Sequence, residues 1–410
     1  MRILHTSDWH LGKWLGSFSR IEEQRIVLEE ICDICETQNI DAVAISGDLY
    51  DNFNPPIEAQ ELLYKTLKRL ANNGKRPVIA IAGNHDSPER IESPDPLARE
   101  CGIIFSGHPN SIASVFELDG GFKILKTDEG FIEIKLFNND IPLRILTVPY
   151  ANEYRMKTFL GCEDKETAMR EVLQQKWKSI AEKYIDNNGV NIMIAHLFVG
   201  KEGEPLPIED LDEMKPINSG VGGAQIVYSS NIPSGLNYVA LGHLHRKQNI
   251  DKKPCSVVYC GSPLAYSFSE ANQSKYVLLV DIGPNKETKI TPIELLTPKK
   301  LVRKSFNNTT EAIEWLESNQ DVLIELTIVT DFHLNAEDQK KLYSANKNIV
   351  ELHLRTNIEG ENTLNNTNID IEMNISNMFV EYFKSQNSGI APDETIMNLF
   401  KEVIAEEEVI

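Results

Sequence analysis

Five short segments of this 410-residue chain carry groups able to hold metal ions or move protons: Asp8-Trp9-His10, Gly47-Asp48-Leu49-Tyr50-Asp51, Gly83-Asn84-His85-Asp86, Ala195-His196 and Gly242-His243-Leu244-His245. Carboxylate oxygen, amide oxygen and neutral imidazole, with no thiolate, suit borderline divalent ions such as Mn, Fe or Zn. Seven such ligands are too many for one ion that must also admit substrate. Two ions sharing one carboxylate, roughly 3.5–4 Å apart, fit the number better. Such a pair activates water and clamps phosphate oxygens during in-line attack. Asn84 and His85 are neighbours, so their side chains diverge: one can bind metal while the other faces substrate as a charged stabiliser or a leaving-group acid. Asp51 is placed to hold such a histidine in one tautomer and orientation. In His243-Leu244-His245 an extended strand would point both imidazoles to one side, letting both reach one cluster.

Every segment follows an apolar run that reads as a strand: Ile3 to Thr6, Ala42 to Ser46, Val78 to Ala82, Val190 to Ala195 and Tyr238 to Leu241. Ligands bind α/β sheets in the crevice beyond the carboxyl ends of strands, so five strand ends would bring two Asp, one Asn and five His to one rim. A single His or Asp at a strand end is ordinarily a turn residue. Five such ends in a chain with nine histidines are not explained that way. His5 lies inside the first strand and reads as core or as support for the ligands. His108, His333 and His353 fall outside the pattern and read as structural. Lys13, Arg20 and Arg90 lie near the motif loops, where either phosphate contact or solvated surface is open to them. Cys32 and Cys35 form a C-x-x-C inside a helical pattern without a second pair, and read as reduced and structural.

Composition sets limits on function. Hydrophobic residues at 41% and charged residues at 25% are those of a folded globular chain. The net charge of −20 argues against coating nucleic acid by bulk electrostatics, although a metal-loaded cleft can still engage phosphodiesters because bound cations set the local field. No apolar run reaches the ~18 residues of a membrane span, and the first residues turn polar at once, so the expectation is a cytoplasmic chain with neither membrane segment nor secretory signal.

The organisation follows from periodicity. Helical patterns cover about Arg20 to Glu36, the stretch after Pro55 and Pro56 that carries Leu62, Leu63, Leu67 and Leu70, and Lys165 to Tyr184. Ile112 to Val148 reads as antiparallel hairpins. The β-loop-α repeats imply a layered α/β core with right-handed crossovers. The strand Lys275 to Ile282 closes a first domain, 1–282. Smaller strand–helix repeats make a second, 283–356; a polar linker spans 357–370, and an amphipathic helix pair at 371–410 needs a surface to dock on. That last stretch holds eight acidic and two basic residues, a net −6.

Taken together, D-x-H, G-D-x-x-D, G-N-H-D, the single His and G-H-x-H resemble the motif set of the calcineurin-like metallophosphoesterase superfamily. His5 to Gly12 (HTSDWHLG), Gly83 to Ser87 (GNHDS), Tyr238 to His245 (YVALGHLH) and Gly261 to Glu270 (GSPLAYSFSE) narrow the resemblance to the SbcD family, nuclease subunits of bacterial SbcCD complexes. It is close over 1–282 and looser beyond. The resemblance implies a core of two mixed sheets flanked by helices, an α/β capping domain, and a C-terminal helix pair that docks on the coiled coil of an SbcC-type ATPase. It implies two divalent ions, usually Mn2+, with Asp8, His10 and His245 at one, Asn84, His196 and His243 at the other, Asp48 bridging, and His85 catalytic. It further implies ATP-dependent double-strand exonuclease and single-strand endonuclease activity in DNA repair, recombination and replication, by a homodimer within a heterotetramer. The chain has no G-x-x-x-x-G-K-[ST], so the nucleotide falls to the partner. Asp51 departs from the histidine of many archaeal and eukaryotic relatives and resembles a phosphatase-type Asp–His pair. A phosphomonoesterase or cyclic-nucleotide phosphodiesterase on the same dinuclear site is the alternative.

Overall fold

Apolar residues run without interruption through Ala42–Ile45 and Val78–Ile81, so neither strand has a face for water. Each must be covered on both sides. In the computed structural model, which describes residues 1–157, 164–207, 226–330, 334 and 336–355 together with 379, 380, 383, 392, 396, 397 and 400, they are. A six-stranded mixed sheet is ordered Lys289–Glu294, Tyr276–Asp281, Arg2–Thr6, Ala42–Ile45, Val78–Ile81, Ile103–Ser106, its last four strands parallel. A seven-stranded mixed sheet is ordered Gln248–Asp251, Ser256–Tyr259, Tyr238–Gly242, Val190–His196, Leu143–Val148, Phe131–Lys135, Lys123–Asp128, and four of its strands are also parallel.

Alternation along the strands builds three apolar layers. Ile3, Ala44 and Ile79 meet Ile145, Ile192 and Ala240 between the sheets. Leu4, Val43 and Ala80 pack outward on Val27, Ile31, Leu63 and Leu67 of the helices Ile21–Thr37 and Ile57–Leu70. Leu146, Met193 and Val239 pack outward on Met169, Leu173 and Trp177 of the helix Lys165–Tyr184. The result is the expected layered α/β core of two mixed sheets flanked by helices.

Several local expectations change. The reading of Ile112 to Val148 as hairpins holds only for the ladders 123–128/131–135 and 131–135/143–148; the last strand turns and pairs parallel with Val190–His196. Ile103–Ser106 is a further strand, one that the sequence pattern does not announce. The first sheet continues past residue 282, because Lys289–Glu294 pairs antiparallel with Tyr276–Asp281. Beyond it, Lys300–Phe306, Val322–Val329 and Ile349–Arg355 form a parallel sheet with helices Thr309–Ser318 and Ala336–Ala345 around their own core of Leu316, Ile324, Leu326 and Leu342. Leu301 and Leu323 of that sheet also pack on Leu15, Ala265 and Phe268.

Residues Met1–Thr356 form one compact unit and Asn357–Ile410 a second. In the second, the ring of Phe379 stacks on that of Phe400 at 3.8 Å. The expected linker 357–370 and most of the expected helix pair lie outside the described residues, as does His333.

Candidate metal centre

Four of the candidate ligands adopt left-handed backbone: Asp8 (φ 54°), His10 (φ 44°), Asp48 (φ 48°) and His243 (φ 107°). Such conformations cost about 1–3 kcal/mol each and persist only where the surroundings impose them. Here the imposing structure is the joint rim of the two sheets. Asp8, Asp48 and Asn84 follow parallel strands of the first sheet; His196 ends, and His243 follows, parallel strands of the second. Ser46 Oγ donates to the Ala240 carbonyl across the gap. The sheets approach so closely that a Cβ on Gly242 would meet the Ser46 carbonyl oxygen at 1.9 Å, which requires glycine there.

The eight groups converge. Ligand atoms of Asp8, His10 and His245 lie within 4.8 Å of one another, as do those of Asp8, Asp48 and His196, and those of His10, Asp51 and His85. Asp48 stands between the first two groups, its Oδ2 3.5 Å from His10 Nε2 and 3.3 Å from His196 Nε2. Asn84 Oδ1 lies 2.9 Å from His196 Nε2 and 3.0 Å from His243 Nδ1. The two histidines of G-H-x-H do not share one side of a strand, since the strand ends at Gly242. The turn at His243 sends its ring to Asn84, while His245 reaches His10, Nε2 to Nε2, at 3.0 Å. His85 diverges from Asn84 as expected. Its Nδ1 bonds the backbone carbonyl of Asp51 at 2.8 Å, so the proton sits on Nδ1 and Nε2 is the other working atom. The Asp51 carboxylate instead pairs with Lys13 at 2.9 Å and faces His10 Nδ1 at 3.6 Å.

The donor set fits divalent cations. His196 Nδ1 bonds the Ser46 carbonyl, so its Nε2 lone pair faces two oxygens, of Asp48 and Asn84. Without a cation that arrangement calls for a proton. Burial disfavours one, yet Asp48 and Asp8 outweigh burial and raise His196 to about 9. Burial, the largest influence on each, pushes Asp8 up to about 6 and His10 down to about 4. Burial also opposes the charge on Asp48, but His196, His10 and His85 hold its carboxyl well below the usual range. Asp8 Oδ2 is buried without a hydrogen bond, and His10 Nε2 lies 3.5 Å from Asp48 Oδ2 and 3.0 Å from His245 Nε2. Buried acceptors facing one another in this way are satisfied together by positive charge placed among them.

Other residues hold these groups, and of them only Asp86 belongs to a motif. Asp86 is buried and accepts backbone N–H groups of Gly83, Leu49 and Tyr50 at 2.8–3.0 Å, tying the loop of Asn84 and His85 to that of Asp48. Arg155 donates to the carbonyls of Gly83, Asn84 and Asp86. Nothing in its surrounding sequence marks it. His5 is core, bonded to Tyr238 Oη and the Leu241 carbonyl. Arg20 is fully buried on Glu23 and the Ala265 carbonyl, and so is no phosphate contact; Arg90 bonds the Phe53 carbonyl and Asn54. Cys32 and Cys35 are buried free thiols pushed up to about 12 by burial, in keeping with a structural role.

Residues 1–247, which contain every group named above as a ligand candidate, match the family model of the calcineurin-like phosphoesterases. The chain is also 34% identical over 410 residues to the SbcD subunit of the SbcCD nuclease of Bacillus subtilis (strain 168), covering 98% of this chain and 97% of that one. The chain belongs to the calcineurin-like phosphoesterases, in the SbcD family. Two further SbcD relatives are similar to it. That of Staphylococcus epidermidis is 30% identical over 394 residues, 93% of this chain and 92% of its own, and that of Rhodobacter capsulatus is 29% identical over 301 residues, 73% and 70%. As a member of this family the chain is a phosphoester hydrolase. The family implies divalent metals, and the clusters at the rim offer ligands for them.

Proposed function

We propose that this chain is the nuclease subunit of an SbcCD-type complex, cleaving DNA phosphodiesters with two divalent ions, Mn2+ being the expected metal. The observation that carries the reading is the convergence of eight carboxylate, amide and imidazole groups from five strand ends on one rim, in a chain matched along nearly its whole length by a nuclease subunit. Asp8, His10 and His245 would hold one ion, Asn84, His196 and His243 the other, with Asp48 shared. When bound, such a pair supplies Lewis-acid charge for the phosphate oxygens and lowers the pKa of water. His85, its Nδ1 proton committed to the Asp51 carbonyl, presents Nε2 to the leaving oxygen and donates a proton when charged.

The second domain, expected over 283–356 and built on the sheet of 300–355, caps the site, and the helix pair at 371–410 docks on an SbcC-type ATPase, which hydrolyses the ATP. A homodimer within a heterotetramer is the proposed assembly. A basic partner would also offset the −20 charge of this chain on DNA. Among the described residues no helix is long and apolar enough to cross a membrane, and the proposed location is the cytoplasm. The test is a cleavage assay on hairpin and linear duplex DNA with Mn2+, with and without the ATPase and ATP. Efficient turnover of small phosphate esters with no DNA cleavage under any of these conditions would overturn the reading in favour of a phosphomonoesterase.

A further inference from the structure

Glu270 and Lys275 form an ion pair that is almost wholly buried, with 1% and 5% of their surfaces exposed. Taking both charges out of water is costly, and an apolar pair of similar size would hold the fold as well. Its contacts show what it holds. Lys275 Nζ donates to the backbone carbonyl of His245 at 3.0 Å and to Ser262 Oγ at 3.0 Å. Glu270 Oε1 accepts the Tyr266 N–H at 2.9 Å and stands 3.5 Å from His245 Nδ1. The pair thus grips His245 by main chain and ring together. A carboxylate at Nδ1 keeps the proton there and turns Nε2, as a lone pair, toward His10 and Asp8.

The same segment reaches His10 by a second route. The Tyr266 hydroxyl donates to the Trp9 carbonyl. Gln24 Nε2 donates to Tyr266 Oη at 3.2 Å and to the His10 carbonyl at 2.8 Å. The Tyr266 ring lies edge-on to both imidazoles, 5.5 Å from His10 and 5.8 Å from His245. The groups on the other side are held from elsewhere: His196 by the Ser46 carbonyl, and the loop of Asn84 by Arg155 and Asp86.

We propose that Ser262–Lys275 is a positioning frame for one of the two cation positions only, that of Asp8, His10 and His245. The inference rests on the two-ion reading above. It makes the two positions separable: damage to the frame loosens one ion and spares its neighbour, whereas damage to the shared Asp48 disturbs both. Glu270 and Tyr266 act through the histidines and are positioning residues.

The test is Mn2+ binding to the full chain, followed by calorimetric titration, by metal counting after desalting, and by electron paramagnetic resonance. Glu270→Gln/Lys275→Met removes both buried charges together, so neither is left unpaired. The double variant should retain one ion at wild-type affinity and bind the second about 10–100-fold more weakly. The spin-coupled signal of a manganese pair should give way to that of an isolated ion. Tyr266→Phe, which removes one hydroxyl group, should weaken the same ion to a smaller degree and decides the matter if the double variant does not fold. Equal weakening of both ions, or unchanged binding of both, overturns the frame. A wild-type chain that takes up fewer than two ions removes the two-ion reading and the frame with it, and that result is visible before any variant is made.

Discussion

Gly83→Ala adds one methyl group where the rim closes on Asp48. A Cβ on Gly83 would lie 2.0 Å from Asp48 Oδ1 and 2.4 Å from the Asp48 backbone nitrogen. Ordinary van der Waals contact begins near 3.4 Å, so the carboxylate that stands between the two ligand groups must retreat by more than about 1 Å. The backbone nitrogen beside it belongs to a loop that Asp86 ties down, and it cannot yield as a flexible side chain would. Overpacking of this kind costs about 1–3 kcal/mol of stability. A ~1 Å misplacement of a reacting group costs on the order of 100-fold in rate. The expected variant is therefore folded, modestly destabilised, weak in binding Mn2+ and slower in DNA cleavage by about 100-fold or more. Equilibrium denaturation, metal counting and a cleavage time course read the three effects separately. Gly283→Ala is the control, since its Cβ would come no nearer than 3.4 Å, to the Lys286 side chain. A Gly83→Ala chain with both ions and wild-type cleavage would refute the reasoning that Asp48 is the shared, position-critical group.

Other outcomes follow from the same geometry. His85→Ala should keep both ions and lose cleavage by about 10²–10⁴-fold, because a single acid–base group contributes that much; one fewer ion per chain would reassign His85 as a ligand. Asp48→Ala should empty or disorder both cation positions, and metal counting that still finds two ordered ions would contradict a shared carboxylate. Away from the site, burial opposes ionisation of Glu133, but Arg144 at 2.7 Å and Lys126 at 3.0 Å outweigh it and lower its pKa. A depressed acid stabilises the fold above its ordinary pKa and loses that contribution as pH falls through the lowered value. Glu133→Gln should thus cost about 1–2 kcal/mol near pH 7, and the gap from wild type should narrow in acid denaturation below about pH 4. A gap of constant size across that range would count against the pairing.

The strands that carry the site are legible because they are buried on both faces, so apolar runs such as Ala42–Ile45 announce them without competing periodicity. The groups at their ends are legible because histidine is scarce and strand ends are few. What escapes is non-local or set by backbone torsion. G-H-x-H looks like one strand face only while period-2 alternation continues past Gly242, where a left-handed His243 breaks it. The Asp51 side chain is the expected support for a histidine, yet it is the backbone carbonyl that bonds His85, a contact no side-chain motif encodes. Arg155 is a single charged residue far along the chain from the loop it holds, and Glu270 ends the segment Gly261 to Glu270 without any local sign of the ring it faces. Lys289–Glu294 alternates weakly and is half exposed, so only its partner strand reveals it.

The proposed chemistry depends on groups from five strand ends gripping two neighbouring cations. Anomalous diffraction from crystals soaked in manganese measures this most directly. Two peaks per chain are expected on either side of Asp48, one beside Asp8, His10 and His245 and the other beside Asn84, His196 and His243. A single peak, or none among these side chains, would contradict the two-ion reading.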